Sequence, residues 1–377
     1  MSFFGCVRFR EEASYFIQSL PNTLQELNLN FGGIGFKMSE EFALGLGLLS
    51  NLLSLKLSLH RTPNYALTFD FLDDFCSGRL TGPTSSHLAP APRKPQELIC
   101  CAALWSELAK LDKLRELELK VRESKGLTCI DGMVEAIFNM PALETPTLSF
   151  RGCNLNQVHG IKACSPARAF DQLTCLTISI YENRDLVSIA GITNIIERAL
   201  ALEELSVSLG ALSLSANEGA SFCAALQKSR QLQRLYIAME GKSVDGLGEA
   251  IEGMAKLARL TLHFERCMLP TDEIFSMFRA LKNQEELREL HLTMKGNKHL
   301  TSISELVSSL GNMPKLADSK FDFIGCPISY ESVISLYNQK SRRHWTEIKI
   351  GSPESSTILT EKAIMSGSLK TALDSVK

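Results

Sequence analysis

Arg234, Tyr236, Arg259, His263 and His291 fall in one part of the chain, with Glu265 and Cys267 close behind the first histidine. Two imidazoles and a nearby thiol could begin a metal site. Zinc takes three or four ligands at fixed geometry, however, and Glu265 is the only further candidate in reach, so no metal site is expected. Arginine and tyrosine carry a different chemistry, because they bury large areas at modest entropic cost and dominate protein interfaces. Tyr181 is a second aromatic of this kind. Nucleotide chemistry is not indicated. The chain has no G-x-x-x-x-G-K-[ST] loop, and the turn Phe31-Gly-Gly-Ile-Gly-Phe36 lacks a phosphate-binding fingerprint after it. Asp70, Asp73 and Asp74 lack the spacing of an EF-hand. No catalytic set and no cofactor is implied.

These residues are positioned by a phrase of the form L-x-x-L-x-L that returns about every 29 residues. It reads Leu24-Leu27-Leu29, Leu52-Leu55-Leu57, Leu114-Leu117-Leu119, Leu202-Leu205-Val207, Leu257-Leu260-Leu262 and Leu287-Leu290-Leu292, with weaker copies at Leu143, Leu173, Leu232, Leu316 and Trp345. The period-two alternation predicts a strand with one buried face. About ten residues later comes a helical spacing of apolar residues, as at Met133, Val134, Ile137 and Phe138, and again over 188–199, 216–226, 246–254, 272–281 and 302–310. Strand, turn, helix and return loop fill one period, and parallel strands then line one side with helices on the other. The expected class is therefore α/β, built as a solenoid in which each copy buries its apolar face against its neighbours. The outward residues of the strands include Arg234, Tyr236, Arg259, His263 and His291, with the two histidines on adjacent strands near one register.

Phrase starts after Leu114 step by 29 or 30 residues except from Leu232 to Leu257, a step of 25 that demands a tightened loop near Glu240. The step from Leu52 to Leu114 is long, and its surplus at about 62–95 holds five of the thirteen prolines, which is loop chemistry. A helix is expected to resume over 96–111. Residues 1–23 read as an N-terminal cap with a helix over 3–20, residues 24–351 as the solenoid, and residues 352–377 as a C-terminal cap helix or a mobile tail.

Hydrophobic content of 45% with a net charge of −2 describes an ordered chain without the basic face that nucleic acid would need. The eleven cysteines are spread along it. Cys153, Cys267 and Cys326 each follow the last apolar residue of a phrase by five positions, and Asn183 and Asn297 take the same offset. A buried group there must satisfy loop backbone, so these three cysteines read as reduced core residues. No signal peptide, sequon or membrane-spanning run is read from the chain, and a cytoplasmic setting is expected.

These phrases resemble the leucine-rich repeats of the long, ribonuclease-inhibitor-like kind, in the variant common in single-celled eukaryotes. The segments Leu257-Ala-Arg-Leu-Thr-Leu-His-Phe-Glu-Arg-Cys-Met-Leu269 and Leu143-Glu-Thr-Pro-Thr-Leu-Ser-Phe-Arg-Gly-Cys-Asn-Leu155 carry the likeness. It implies a horseshoe with strands concave and helices convex, used as a protein-binding surface. Pro146 departs from the pattern and should remove one ladder hydrogen bond. The leading expectation is a non-enzymatic interaction module: an adaptor, or a subunit of a larger assembly such as a cytoskeletal or ciliary one. Its partner would be a protein, held through Tyr181, Arg234, Tyr236, Arg259, His263 and His291, with neither nucleic acid nor membrane involved. The alternative is a small-GTPase regulator resembling the Ran GTPase-activating protein, although the acidic tail of that kind is missing.

Overall fold

The computed structural model describes residues 9–31, 40–60, 99–100, 102–124, 127–130, 132–153, 155, 171–210, 215–241, 244–339, 347–352 and 355–360. The chain forms two compact units, Met1–Ser165 with Glu182–Leu186, and Pro166–Tyr181 with Val187–Lys377. In both, the repeated phrase forms parallel strands and the apolar-periodic segment forms a helix, giving the α/β leucine-rich repeat solenoid that the period predicts.

The first unit runs α1 (Phe9–Gln18), β1 (Glu26–Asn30), α2 (Glu40–Gly47), β2 (Ser54–His60), β3 (Ile99–Cys100), α3 (Ala102–Leu108), β4 (Glu116–Arg122), β5 (Leu127–Cys129), α4 (Met133–Phe138) and β6 (Thr145–Arg151). Strands β1, β2, β4 and β6 pair in parallel with the phrase leucines in register, Leu27 beside Leu55 and Leu55 beside Leu117. All of these leucines are buried. Each such side chain removed from water stabilises the fold by roughly 2 kcal/mol before entropy is counted. Pro146 is buried opposite Leu117 in the interior of β6, where it withdraws one backbone donor from the sheet.

The second unit runs β7 (Cys175–Ser179), α5 (Ala190–Arg198), β8 (Glu204–Leu209), α6 (Ala216–Leu226), β9 (Arg234–Glu240), α7 (Leu247–Glu252), β10 (Arg259–Glu265), α8 (Thr271–Ala280) with a 3-10 turn at Leu281–Asn283, β11 (Glu289–Thr293), α9 (Ser304–Leu310), β12 (Asp318–Asp322), α10 (Tyr330–Gln339), β13 (Glu347–Ser352) and β14 (Ser355–Thr360). Strands β7 to β13 pair in sequence order, all parallel, and β14 turns back to pair antiparallel with β13.

Neighbouring helices are stitched by acidic side chains. Glu218 on α6 accepts from the Ile189 amide at 3.0 Å and from Ser188 Oγ at 2.9 Å, at the start of α5. Glu273 on α8 accepts from the Gly246 and Gly248 amides, each at 3.2 Å, at the start of α7. A carboxylate at these points satisfies orphan amides and lies at the positive end of the helix dipole. The 25-residue step holds the six-residue helix α7, no shorter than α4 in a 29-residue step, so part of the shortening falls on the loop after Glu240, which enters α7 through Gly246 in the left-handed region at φ 87°.

The repeat-locked polar position behaves as the spacing predicts. Asn183 Nδ2 donates to the Phe150 carbonyl at 2.6 Å in the first unit, and Asn297 Nδ2 to the Phe264 carbonyl at 2.7 Å in the second. Cys153, Cys267 and Cys326 point their thiols at the Val121, Met239 and Met294 carbonyls. In every case the acceptor belongs to the preceding repeat. The residue just before this position is left-handed: Glu182 at φ 62° and Arg266 at φ 53° precede Asn183 and Cys267, a strained choice for side chains other than glycine. Burial raises the Cys153 and Cys326 thiols to about 12 and about 11. Both stay protonated and serve as small donors rather than nucleophiles.

Three expectations meet a different outcome or none. Helix does not occupy the whole of 96–111: α3 begins at Ala102, and Ile99–Cys100 instead pair with Leu127–Cys129 as a small parallel sheet. Ser355–Thr360, within the stretch read as a cap helix or a mobile tail, form β14, because the edge of β13 offers a ladder and the β-branched residues Thr357, Ile358 and Thr360 favour an extended backbone. The proline-rich stretch 62–95, the first eight residues, the glycine-rich turn at 32–36 and the tail 361–377 lie outside the described residues. No helix among the described residues is long and apolar enough to cross a membrane.

Candidate functional site

The outward side chains of β7 to β12 make one continuous strand face in the second unit. Alternation places Arg234, Tyr236, Ala238 and Glu240 outward on β9, and Arg259, Thr261, His263 and Glu265 outward on β10. The pairing aligns Arg234 with Arg259, Tyr236 with Thr261, Ala238 with His263, and Glu240 with Glu265. On β11 His291 stands opposite Thr261, and Thr293 opposite His263. The two histidines are therefore one outward position out of step, diagonal rather than level.

Five of the six candidate residues come together in this way. Tyr236 and His263 form an aromatic pair with ring centroids 5.4 Å apart at 38°. Arg234 is ion-paired with Glu204 on β8, and Arg259 Nε lies 3.1 Å from Glu289 Oε1, its cross-strand neighbour on β11. His291 Nε2 sits 3.1 Å from Asp318 Oδ2 on β12. Partly exposed pairs of this sort contribute about 0.2–1 kcal/mol and mainly fix side-chain direction. The sixth residue, Tyr181, stands apart in the turn after β7. Its ring lies across Gly210, where an added Cβ would come within 2.1 Å of the ring, and its hydroxyl donates to Glu240 Oε2 at 3.4 Å. A side chain at 210 would displace the tyrosine ring from this position.

Around these groups the face is small and hydroxylated. Thr177 and Ser179 align with Ser206 and Ser208, and Ser206 and Ser208 with Tyr236 and Ala238. Cys175 lies outside the repeat-locked positions that Cys153, Cys267 and Cys326 occupy. It occupies an outward position opposite Glu204 and is only half-buried. The parity of the phrase marks it, since it falls where β8 carries Glu204 and β9 carries Arg234. Burial first, then the neighbouring Glu204 carboxylate, raise its thiol pKa and make it a poor nucleophile. Cys267, by contrast, is buried with its thiol directed at the Met239 carbonyl, so it does not share the strand face with His263 and His291. Among the described residues no group of three or more His, Cys, Asp or Glu side chains is placed to hold a metal ion.

Electrostatically the centre of the face is His263. Burial, then the positive charges of His291 and Lys295, lower its pKa below the ordinary 6.5, against a smaller opposing pull from Asp322. The fold thus favours the neutral imidazole. The stability gained by keeping it neutral is complete above about pH 6.5 and is lost as pH falls through the lower folded-state value. Urea midpoints measured from pH 7.5 to pH 5 should fall more steeply in the wild type than in His263→Gln. Identical slopes would place the pH response elsewhere.

No protein-family model and no curated protein matches the chain. Among solved structures it is similar to an internalin, InlF, from Listeria monocytogenes, at 15% identity over 80% of this chain and 68% of that one, with a TM-score of 0.39. It is also similar to a chain in an octameric complex of latrophilin 3, Unc5D and FLRT2, in which FLRT2 contributes leucine-rich repeats. That match has 11% identity over 62% of this chain and 82% of that one, with a TM-score of 0.26. The fold assignment rests on the repeat geometry described above.

Proposed function

We propose that this chain is a non-enzymatic protein-interaction module, an adaptor or a subunit of a larger assembly, that binds its partner through the strand face of its second unit. The observation that carries this reading is the cluster of Arg234, Tyr236, Arg259, His263 and His291, held side by side on consecutive strands with Tyr236 36% exposed. Tyrosine and arginine on a rigid scaffold form hot spots because little conformational freedom is left to lose on binding. The charged members are already oriented by Glu204, Glu289 and Asp318, and the surrounding threonines and serines leave room for a partner to approach. Buried free thiols at Cys153, Cys223 and Cys267 suit a reducing, cytoplasmic setting, alone or within a cytoskeletal or ciliary assembly.

The test is affinity capture from the native source with the wild type and with an Arg234→Glu/Tyr236→Ala double variant. Both positions are exposed, so the variant should fold normally. Partners held by the wild type should fall at least about tenfold in the variant, since truncating interface hot spots costs about 2 kcal/mol or more each. Undiminished capture would remove the strand face as the binding surface.

A further inference from the structure

On β9 the outward position between Tyr236 and Glu240 is Ala238, a methyl group where its neighbours carry long side chains. Outward residues of a strand are about 7 Å apart, so Tyr236 and Glu240 rise from bases about 13 Å apart with a gap between them. Across the sheet Ala238 aligns with Ser208 on β8, another small residue, and with His263 on β10. The result is a slot. Its floor is Ala238 and Ser208, its aromatic wall is the Tyr236–His263 pair, and its far end is Glu240, which the Tyr181 hydroxyl holds in place. Glu240 aligns with Glu265 on β10, and neither carboxylate has an ion-pair partner among the described residues. Three cations of the same face are engaged with other carboxylates: Arg234 with Glu204, Arg259 with Glu289, and Lys295 with Asp322 at 3.4 Å.

Small floor, aromatic wall and uncompensated carboxylates at one end describe the complement of an arginine side chain. Its stem would lie over Ala238, its planar guanidinium would stack along the rings, and its donors would meet Glu240 and Glu265. Building on the strand-face reading above, we propose that the partner is a protein segment that inserts an arginine side chain over Ala238 between the Tyr236–His263 pair and the Glu240–Glu265 carboxylates. The neutral imidazole that the fold maintains at His263 keeps a competing positive charge out of the wall, although His291, Lys295 and Asp322 also face that residue.

The full chain, carrying isotope-labelled histidine rings, can be titrated at pH 7.5 with N-acetylarginine amide and with its uncharged counterpart N-acetylcitrulline amide. The seven histidines give few ring signals, and His263→Gln assigns the relevant one. The arginine compound should shift the His263 signal saturably, and the citrulline compound should bind about tenfold more weakly or less, as expected for loss of a charge-assisted contact. Glu240→Gln should weaken the arginine response about fivefold. Ala238→Met, which fills the slot on an outward-facing position, should abolish it. Equal responses to the two compounds, a saturable shift that survives Ala238→Met, or no saturable shift with arginine would each overturn the proposal. Affinity capture separates the two ideas. Partners lost in the Arg234→Glu/Tyr236→Ala variant but kept by Ala238→Met would sink the arginine slot and leave strand-face binding standing. Partners kept by both would remove the underlying reading.

Discussion

Replacing Gly248 by alanine is expected to lower the unfolding free energy by about 1–3 kcal/mol, the usual cost of overpacking a close contact. An added Cβ would lie 2.3 Å from Ser276 Oγ, 2.7 Å from the Ser276 carbonyl carbon and 2.9 Å from the Met277 nitrogen. The hydroxyl could rotate away, but the two backbone atoms cannot, so α7 must move off α8. That movement also strains the hydrogen bonds from the Gly246 and Gly248 amides to Glu273. The short repeat explains the crowding, since a six-residue helix has no length over which to bend away. Gly253→Ala supplies the control. It sits at the other end of α7 with φ −72° and nothing closer than 3.5 Å, so its effect should be small. Urea titration of both variants decides the matter, and equal midpoints would show that α7 shifts freely.

The second large effect is expected at Asn297. Its side chain is fully buried and donates to the Phe264 carbonyl at 2.7 Å. Asn297→Leu keeps the volume close but leaves that carbonyl buried without this donor, a loss of about 1–3 kcal/mol. Asn297→Cys should cost clearly less, because Cys267 and Cys326 occupy the same place in their own repeats and direct thiols at the equivalent carbonyls. Thermal unfolding of the pair gives the order. A leucine variant as stable as the cysteine variant would mean that the position fills space without satisfying the loop.

The period, the strand register and the inward leucines were legible because a two-residue alternation with one buried face leaves a strand no other way to sit. The same parity placed Arg234, Tyr236, Arg259, His263 and His291 outward. What was not legible depended on contacts between distant residues or on the backbone itself. The position of Tyr181 is set by the absence of a side chain at Gly210 and by Glu240 two strands away, and neither is visible from the tyrosine's own surroundings. The left-handed turns at Glu182 and Arg266 were hidden because their side chains do not advertise that conformation, unlike Gly296 at the same place. Helix limits ran one to two residues too wide at α5, expected over 188–199 and found at Ala190–Arg198, because apolar spacing continues into the flanking loops.

Strand β14 has a consequence for how such a protein can change in size. A parallel array grows when a new strand, arriving over a helix, takes the open edge of the last one. At β13 that edge is already held by a strand running the other way, in register from Glu347–Thr360 to Ser352–Ser355. A duplicated repeat placed after β13 would have to evict β14 before it could pair. A duplicate placed between β9 and β12 would meet the same neighbours that every interior repeat already meets. Lengthening by whole periods is therefore open from within the second unit and closed at this edge, so repeat number and end structure can vary independently of each other.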